Sequence, residues 1–308
     1  MYYEMKEMRE VQIPWPKDQL IVGILDSEEL QHDNGKLYSF PASAIEELLH
    51  IHDSRTLNKL DSYYGCCFGI VHLLSETNDE VTALPLGFYY RADLILFVCD
   101  EDSLRQDLQD LLHKMHPETR SMERILTNVL AHVIRNQQEH LHQLEDEIEA
   151  MDQLVMDNHI EHINMRISRV RKQILYLTHY FEQLSDVCEE LLEDENDFFQ
   201  EDNVHHLRIL NDRILRMAGN VRLLRDYVVQ VREGYQSQVD INLNQIMYVF
   251  TVVTTIFLPL TLIVGWYGMN FAMPELHWKY GYLFVIGLSI SIVTLCIWFF
   301  KKKRLFRK

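Results

Sequence analysis

The stretch "IMYVFTVVTTIFLPLTLIVGWYGMNFAMPEL", residues 246–276, decides how this chain folds. Its first 20 residues, Ile246 to Gly265, carry no charged side chain. As a helix they would be about 30 Å long, the thickness of a bilayer core. A second uncharged run, "YGYLFVIGLSISIVTLCIWFF", fills residues 280–300. Both read as membrane spans. Trp266, Tyr267 and Phe271 stand at one interface with Trp278, Tyr280 and Tyr282 nearby, and Trp298, Phe299 and Phe300 at the other. The tail "KKKRLFRK", residues 301–308, holds six basic side chains and no acid, so the positive-inside rule keeps it in the cytoplasm. With two spans the N-terminal body is then cytoplasmic as well, and residues 267–279 form the external segment. The N-terminal "MYYEMKEMREVQIP" has no uninterrupted apolar stretch and does not read as a secretory signal. The expectation is a multi-pass protein of the cell (inner) membrane with both termini cytoplasmic.

Upstream of the spans, residues 121–265 contain a single proline, Pro259, and glycine only at Gly219, Gly234 and Gly265. Such a segment is helical almost throughout. Three helices are expected near 121–152, 160–194 and 202–266, broken at "MDNH" and "DENDFF". The second break lies in "EQLSDVCEELLEDENDFFQED", ten carboxylates in 21 residues. A solvated acidic face and a surface that attracts divalent cations both fit it. In the third helix Leu207, Leu210, Ile214, Met217, Val221, Leu224, Val228, Val231 and Tyr235 alternate steps of three and four, a heptad seam. Unbroken to residue 266, that helix would be about 95 Å long.

A second stripe follows another face of the same helix. Asp226, Gln230, Glu233, Ser237, Asp240 and Asn244 repeat the alternation, and the step continues through Met247, Thr251, Thr254, Leu258, Thr261 and Gly265. One face therefore stays polar or small into the membrane. Two spans cannot enclose an aqueous path alone, so the stripe points to a symmetric oligomer in which each subunit turns this face to a central axis. The competing explanation is that each threonine bonds its own preceding carbonyl. Pro259 deletes one backbone hydrogen bond within the span and marks a place that could bend or open. The first span runs from inside to outside, so its partly negative C-terminal end faces the external mouth and favours a cation there. Gly268 permits a close turn, Met269 packs, and Asn270 offers a neutral amide carbonyl. A ring of such carbonyls suits a hydrated ion, and magnesium sheds its water reluctantly. Glu275 outside would concentrate cations at the mouth.

The N-terminal part switches between short β-rich and helical runs. "QLIVGIL" (19–25), "KLYSF" (36–40), "CCFGIVHLL" (66–74), "LGFYY" (86–90) and "DLILFVC" (93–99) read as strands. "SAIEELLHI" (43–51) and "DSLRQDLQDLLHKM" (102–115) read as helices, and "HDNGK" as a turn. No glycine-rich phosphate loop or nucleophile elbow occurs, so no enzyme and no catalytic cofactor is expected. The net charge is −17, and without the basic tail the other 300 residues sit near −23 (−17 minus 6). That argues against a nucleic-acid partner and for cations or simple solubility. Five cysteines show no paired metal spacing and would stay thiols in a reducing compartment. The fold class is an α+β membrane protein. Its parts are a cytoplasmic α/β domain (1–118), acidic antiparallel helices (119–200), a stalk (201–245), a first span (246–266), an external loop (267–279), a second span (280–300) and a basic tail (301–308).

"YGMNF" followed by "MPEL", the run "IFLPLT" and the terminal "KKKR" resemble the CorA family of magnesium and cobalt transporters. The match is close over the last 70 residues, and the order of domains agrees along the whole chain. The resemblance implies a homopentameric funnel in membrane lipid, channel-like, carrying Mg2+ and Co2+ and sensing cytoplasmic Mg2+. It assigns the selectivity filter to Gly268, Met269 and Asn270, with Asn270 holding the hydrated ion. It makes Asn244 a pore-lining residue, Met247, Phe250 and Leu258 the apolar constriction, and Asp226 and Glu233 the acids of the inner mouth. No acid of the α/β domain matches the family's regulatory magnesium sites, and on the stalk Asp212 is the nearest candidate.

Two alternatives stand beside this one. A zinc, nickel or cobalt transporter of the same fold would need thiol or imidazole ligands along the stripe, which has none; Cys296 lies in the second span. A non-conducting, membrane-anchored coiled-coil sensor would need neither the threonines nor Asn270.

Overall fold

The computed structural model describes residues 1–11, 19–32, 41–49, 58–77, 80–194, 196–269 and 279–302. They divide into two compact units, Met1–Arg232 and Glu233–Lys308.

The first unit is built on a six-stranded sheet of order β1-β2-β6-β5-β4-β3. Its strands are β1 (Tyr2–Glu4), β2 (Ile21–Leu25), β3 (Lys59–Tyr63), β4 (Cys66–Thr77), β5 (Glu80–Arg91) and β6 (Leu94–Val98). Only β2 and β6 pair in parallel. Every residue of "IVGIL" and of "LILFV" is buried, as expected for strands covered on both faces. Close approach fixes two glycines there: a Cβ on Gly23 would overlap Leu96, and one on Gly69 would overlap the Phe88 ring. Helices α1 (Ser27–His32), α2 (Ala42–Leu49) and α3 (Asp102–Lys114) complete the α/β part. Leu30 of α1 and Leu48 of α2 join Ile21, Phe68, Leu94 and Leu96 in one core.

Sequence spacing finds β2, β4, β5, β6, α2 and α3 within a few residues. It misses α1, the three-residue edge strand β1 and the strand β3, whose "KLDSY" lacks a clean alternation. The strand expected at 36–40 and the turn residues 33–36 lie outside the described residues.

Four helices follow: α4 (Met122–Val133), α5 (Gln137–Met156), α6 (Ile163–Glu193) and α7 (Glu201–Tyr267). The single helix expected over 121–152 is therefore two. The chain departs from helical geometry at Ile134 (φ −94°, ψ 1°), with no glycine or proline present. A tertiary contact accompanies the break: buried Gln137 donates from Nε2 to the Leu74 carbonyl of β4 at 3.3 Å. The breaks at "MDNH" and "DENDFF" occur as expected. At the second, Asp194 takes φ +44° and accepts from the backbone N–H groups of Phe198 and Phe199, both at 2.8 Å. The two rings pack on Tyr90 with centroids 5.1 and 5.9 Å away.

A buried polar relay joins helix to sheet. Asn58 Nδ2 donates to the Tyr180 carbonyl of α6 (3.1 Å), and Asn58 Oδ1 accepts from the His72 N–H (2.9 Å). Tyr180 returns a bond from its hydroxyl to the His72 carbonyl (2.9 Å). The Asn58 amide, the His72 backbone and the Tyr180 hydroxyl thus pair with one another, which is what makes such a network tolerable in a core. On α7 the expected seam is buried from Leu207 through Val231, and Asn211 accepts from Ser185 Oγ of α6 at 3.0 Å.

The second unit contains the C-terminal part of α7 and α8 (Gly281–Lys302). Both helices are long and apolar enough to cross a membrane. Lys302 Nζ lies 4.8 Å from the Trp298 ring centroid, at the end of α8 where an interface anchor belongs.

Candidate ion-conduction site

The stripe residues share one property: all are exposed. In the first unit Asp212, Asp226 and Gln230 are exposed on α7 while the seam residues of the same helix are buried. Asp226 meets its neighbour Arg225 at 3.5 Å, an exposed pair of little energetic weight. Acids of α5 come near this stretch: burial first, then Asp152, Glu149 and Glu145, push the Tyr227 phenol up. Among the described residues no three His, Cys, Asp or Glu side chains converge on a metal-sized site. A metal at Asp212 would therefore need donors beyond those the described residues of its own chain bring together.

In the second unit Glu233, Ser237, Asp240, Asn244, Met247, Phe250, Thr251, Thr254, Leu258, Thr261 and Gly265 are all exposed. Met247 is 64%, Phe250 62% and Leu258 69% exposed. The threonines resolve a question that spacing left open. Thr251 Oγ1 donates to the Met247 carbonyl (2.8 Å), Thr254 to that of Phe250 (2.8 Å), and Thr261 to that of Phe257 (2.9 Å). Each hydroxyl hydrogen is thus committed to its own helix, as the competing explanation holds. The commitment has a chemical consequence: the oxygen then offers only lone pairs outward. An acceptor-only surface suits water molecules whose hydrogens point away from a cation.

The helix continues through Pro259 to Tyr267. At its end Gly268 N–H donates to the Val264 carbonyl at 2.9 Å and Met269 N–H to that of Trp266 at 3.3 Å. A Cβ on Gly268 would lie 2.8 Å from the Val264 oxygen, so this position needs glycine for space against backbone. Met269 is 44% exposed. Asn270 and Glu275 lie outside the described residues. One contact escaped the sequence reading altogether. Cys296 Sγ of α8 donates to the Thr255 carbonyl at 3.9 Å, and the available signal was Pro259, four residues beyond Thr255.

A helix with an exposed polar stripe and an uncharged, membrane-length end, a second apolar helix beside it and an acidic α/β body together have the build of a divalent-cation transporter of membranes. The family of CorA-like Mg2+ transporter proteins matches residues 25–302, and the chain belongs to that family. It is a transporter family and not an enzyme class.

A cobalt/magnesium transport protein CorA of Thermotoga maritima is 32% identical over 165 residues, 53% of this chain and 47% of that protein. A magnesium transport protein CorA of Wolinella succinogenes is 27% identical over 282 residues, 91% of this chain and 78% of that protein. The complete structure of a CorA magnesium transporter from Methanocaldococcus jannaschii superposes with a TM-score of 0.82. It is 21% identical, with 97% of this chain and 96% of that one covered, and shows the fold. The zinc/nickel and scaffold alternatives are not favoured by these relatives.

Proposed function

We propose that the chain carries hydrated Mg2+, and also Co2+, through a symmetric homo-oligomer, a pentamer, whose α7 helices line the path. It sits in the lipid of the cell (inner) membrane with both termini cytoplasmic and residues 267–279 outside. Residues 1–118 are the cytoplasmic α/β domain, 119–200 the acidic helices, 201–245 the stalk, 246–266 and 280–300 the spans, and 301–308 the basic tail.

The supporting observation is the exposed stripe of α7, on which Thr251, Thr254 and Thr261 have spent their donors on backbone and keep acceptors free. A straight helix lets a heptad stripe drift by about 20° per seven residues, so helices that keep it on one axis coil left-handedly about that axis. The hydrated ion meets the carboxylate of Glu275 and then the amide carbonyls of Gly268-Met269-Asn270. Contacts at that ring go to its bound water, so dehydration is avoided. Inward, the threonine oxygens accept from the same hydration shell. The belt of Leu258, Phe250 and Met247 offers no acceptor and resists flow by excluding water. Past it stand Asn244 and the carboxylates of Asp240, Glu233 and Asp226, which draw the ion out. An inside-negative potential of 100 mV favours entry of a divalent ion by about 4.6 kcal/mol, so no ATP site is required. Internal Mg2+ bound between acidic cytoplasmic faces, with Asp212 the stalk candidate, holds the subunits closed.

The test is Mg2+ influx into liposomes, read with a fluorescent indicator, for wild type and Asn270→Ala at equal incorporation and low internal Mg2+. The wild type is expected to conduct and the variant to lose most of that flux. Equal flux through both would remove the filter assignment.

A further inference from the structure

In an α-helix residue i donates to the carbonyl of residue i−4, so Pro259, having no N–H, leaves the Thr255 carbonyl of α7 without its intrahelical donor. That same oxygen is the one Cys296 Sγ approaches from α8, at 3.9 Å. The two facts are independent, one set by covalent structure and the other by how the two helices of the second unit pack. Neighbouring hydroxyls are engaged elsewhere. Thr255 Oγ1 donates to the Thr251 carbonyl at 2.7 Å, and Thr254 Oγ1 to the carbonyls of Phe250 and Thr251 at 2.8 and 3.1 Å. In hydrocarbon an unpaired carbonyl is costly, so a donor from the second helix has a physical reason to be there.

We propose that Cys296 is a positioning residue of the conduction path: its thiol closes the hydrogen-bond gap that Pro259 opens and ties segment 255–259 of α7 to α8. That segment contains Leu258 and adjoins Thr254, so the tie sets how both side chains face the path. A thiol suits the task because it is at home among apolar groups yet donates weakly, so the tie can part when the helix bends. The transport consequence rests on α7 lining the path; the hydrogen bond does not.

The test is a double-mutant cycle on the full-length protein in liposomes, with Mg2+ influx as one readout. Cys296→Ala is expected to change the influx rate by about threefold, the scale of one lost hydrogen bond, and Cys296→Ser, which keeps a donor, to restore it. Pro259→Ala returns an N–H to the helix, so adding Cys296→Ala to it is expected to change nothing further. The same factor in both backgrounds, or no rescue by serine, overturns the proposal. Because Pro259→Ala alone could abolish transport, the S–H stretching band of Cys296 is the second readout, taken as the infrared difference between each protein and its Cys296→Ala partner. A band lowered by hydrogen bonding in the wild type and raised in Pro259→Ala is expected. A band at the free-thiol position in the wild type, or one unmoved by Pro259→Ala, overturns the proposal. If the wild type conducts no Mg2+, the proposed function fails while the infrared band still decides the hydrogen bond.

Discussion

Helix α7 solves two different problems along its length. Between Leu207 and Val231 it buries a residue at every third or fourth position, with Asn211 and Ala218 buried beside the seam, and most of its other residues are exposed. Between Ile246 and Gly265 none of its residues is buried, although nearly all are apolar. The first stretch finds its apolar partners within its own chain. The second leaves them for lipid or for other copies, and three of its four threonines fall on one stripe. The same element is thus stabilised by packing in one part and by its surroundings in the other, so substitutions in the two parts should be felt by different measurements.

The sharpest way to break this contrast is to truncate one apolar residue in each part. Ile214 is fully buried in the seam, and Ile214→Ala is expected to cost about 3 kcal/mol in denaturant unfolding of the purified protein. Leu258→Ala, at a site 69% exposed, should leave that unfolding unchanged and alter Mg2+ flux instead. Equal destabilisation by both would erase the distinction. A smaller effect is expected where the first unit uses polar packing. Tyr180→Phe removes the hydroxyl that bonds the buried His72 carbonyl and should cost about 1–2 kcal/mol, with transport retained. The smallest is expected at the surface. Arg222 meets Glu182 at 3.7 Å with both side chains largely exposed, and Arg222→Ala should change unfolding by less than about 1 kcal/mol.

What the sequence made legible follows from periodicity. The seam of α7 and its polar stripe repeat over many turns, so spacing alone found them, and the uncharged runs needed only their length. The fully buried strands β2 and β6 were legible for the same reason, as unbroken apolar runs. Edge strand β1 is three residues long and β3 has no clean alternation, so neither gave a pattern to detect. The break between α4 and α5 has no glycine or proline to announce it, and the Gln137 bond to a distant strand accompanies it. Contacts between remote residues, Asn58 with Tyr180 or Cys296 with Thr255, leave no periodic trace at all. Asn270 and Glu275 rest on sequence chemistry and family resemblance, since both lie outside the described residues.

The central claim is that the stripe of α7, and not its other faces, borders water. The most direct measurement is the reaction of single introduced cysteines with a membrane-impermeant, cationic thiol reagent, in a Cys296→Ser background during Mg2+ flux. Thr254→Cys and Thr261→Cys are expected to react and stop the flux, whereas Val249→Cys and Val253→Cys, off the stripe, should stay unmodified and conduct. Reaction at the valine positions with none at the threonines, or equal reaction at all four, would contradict the account.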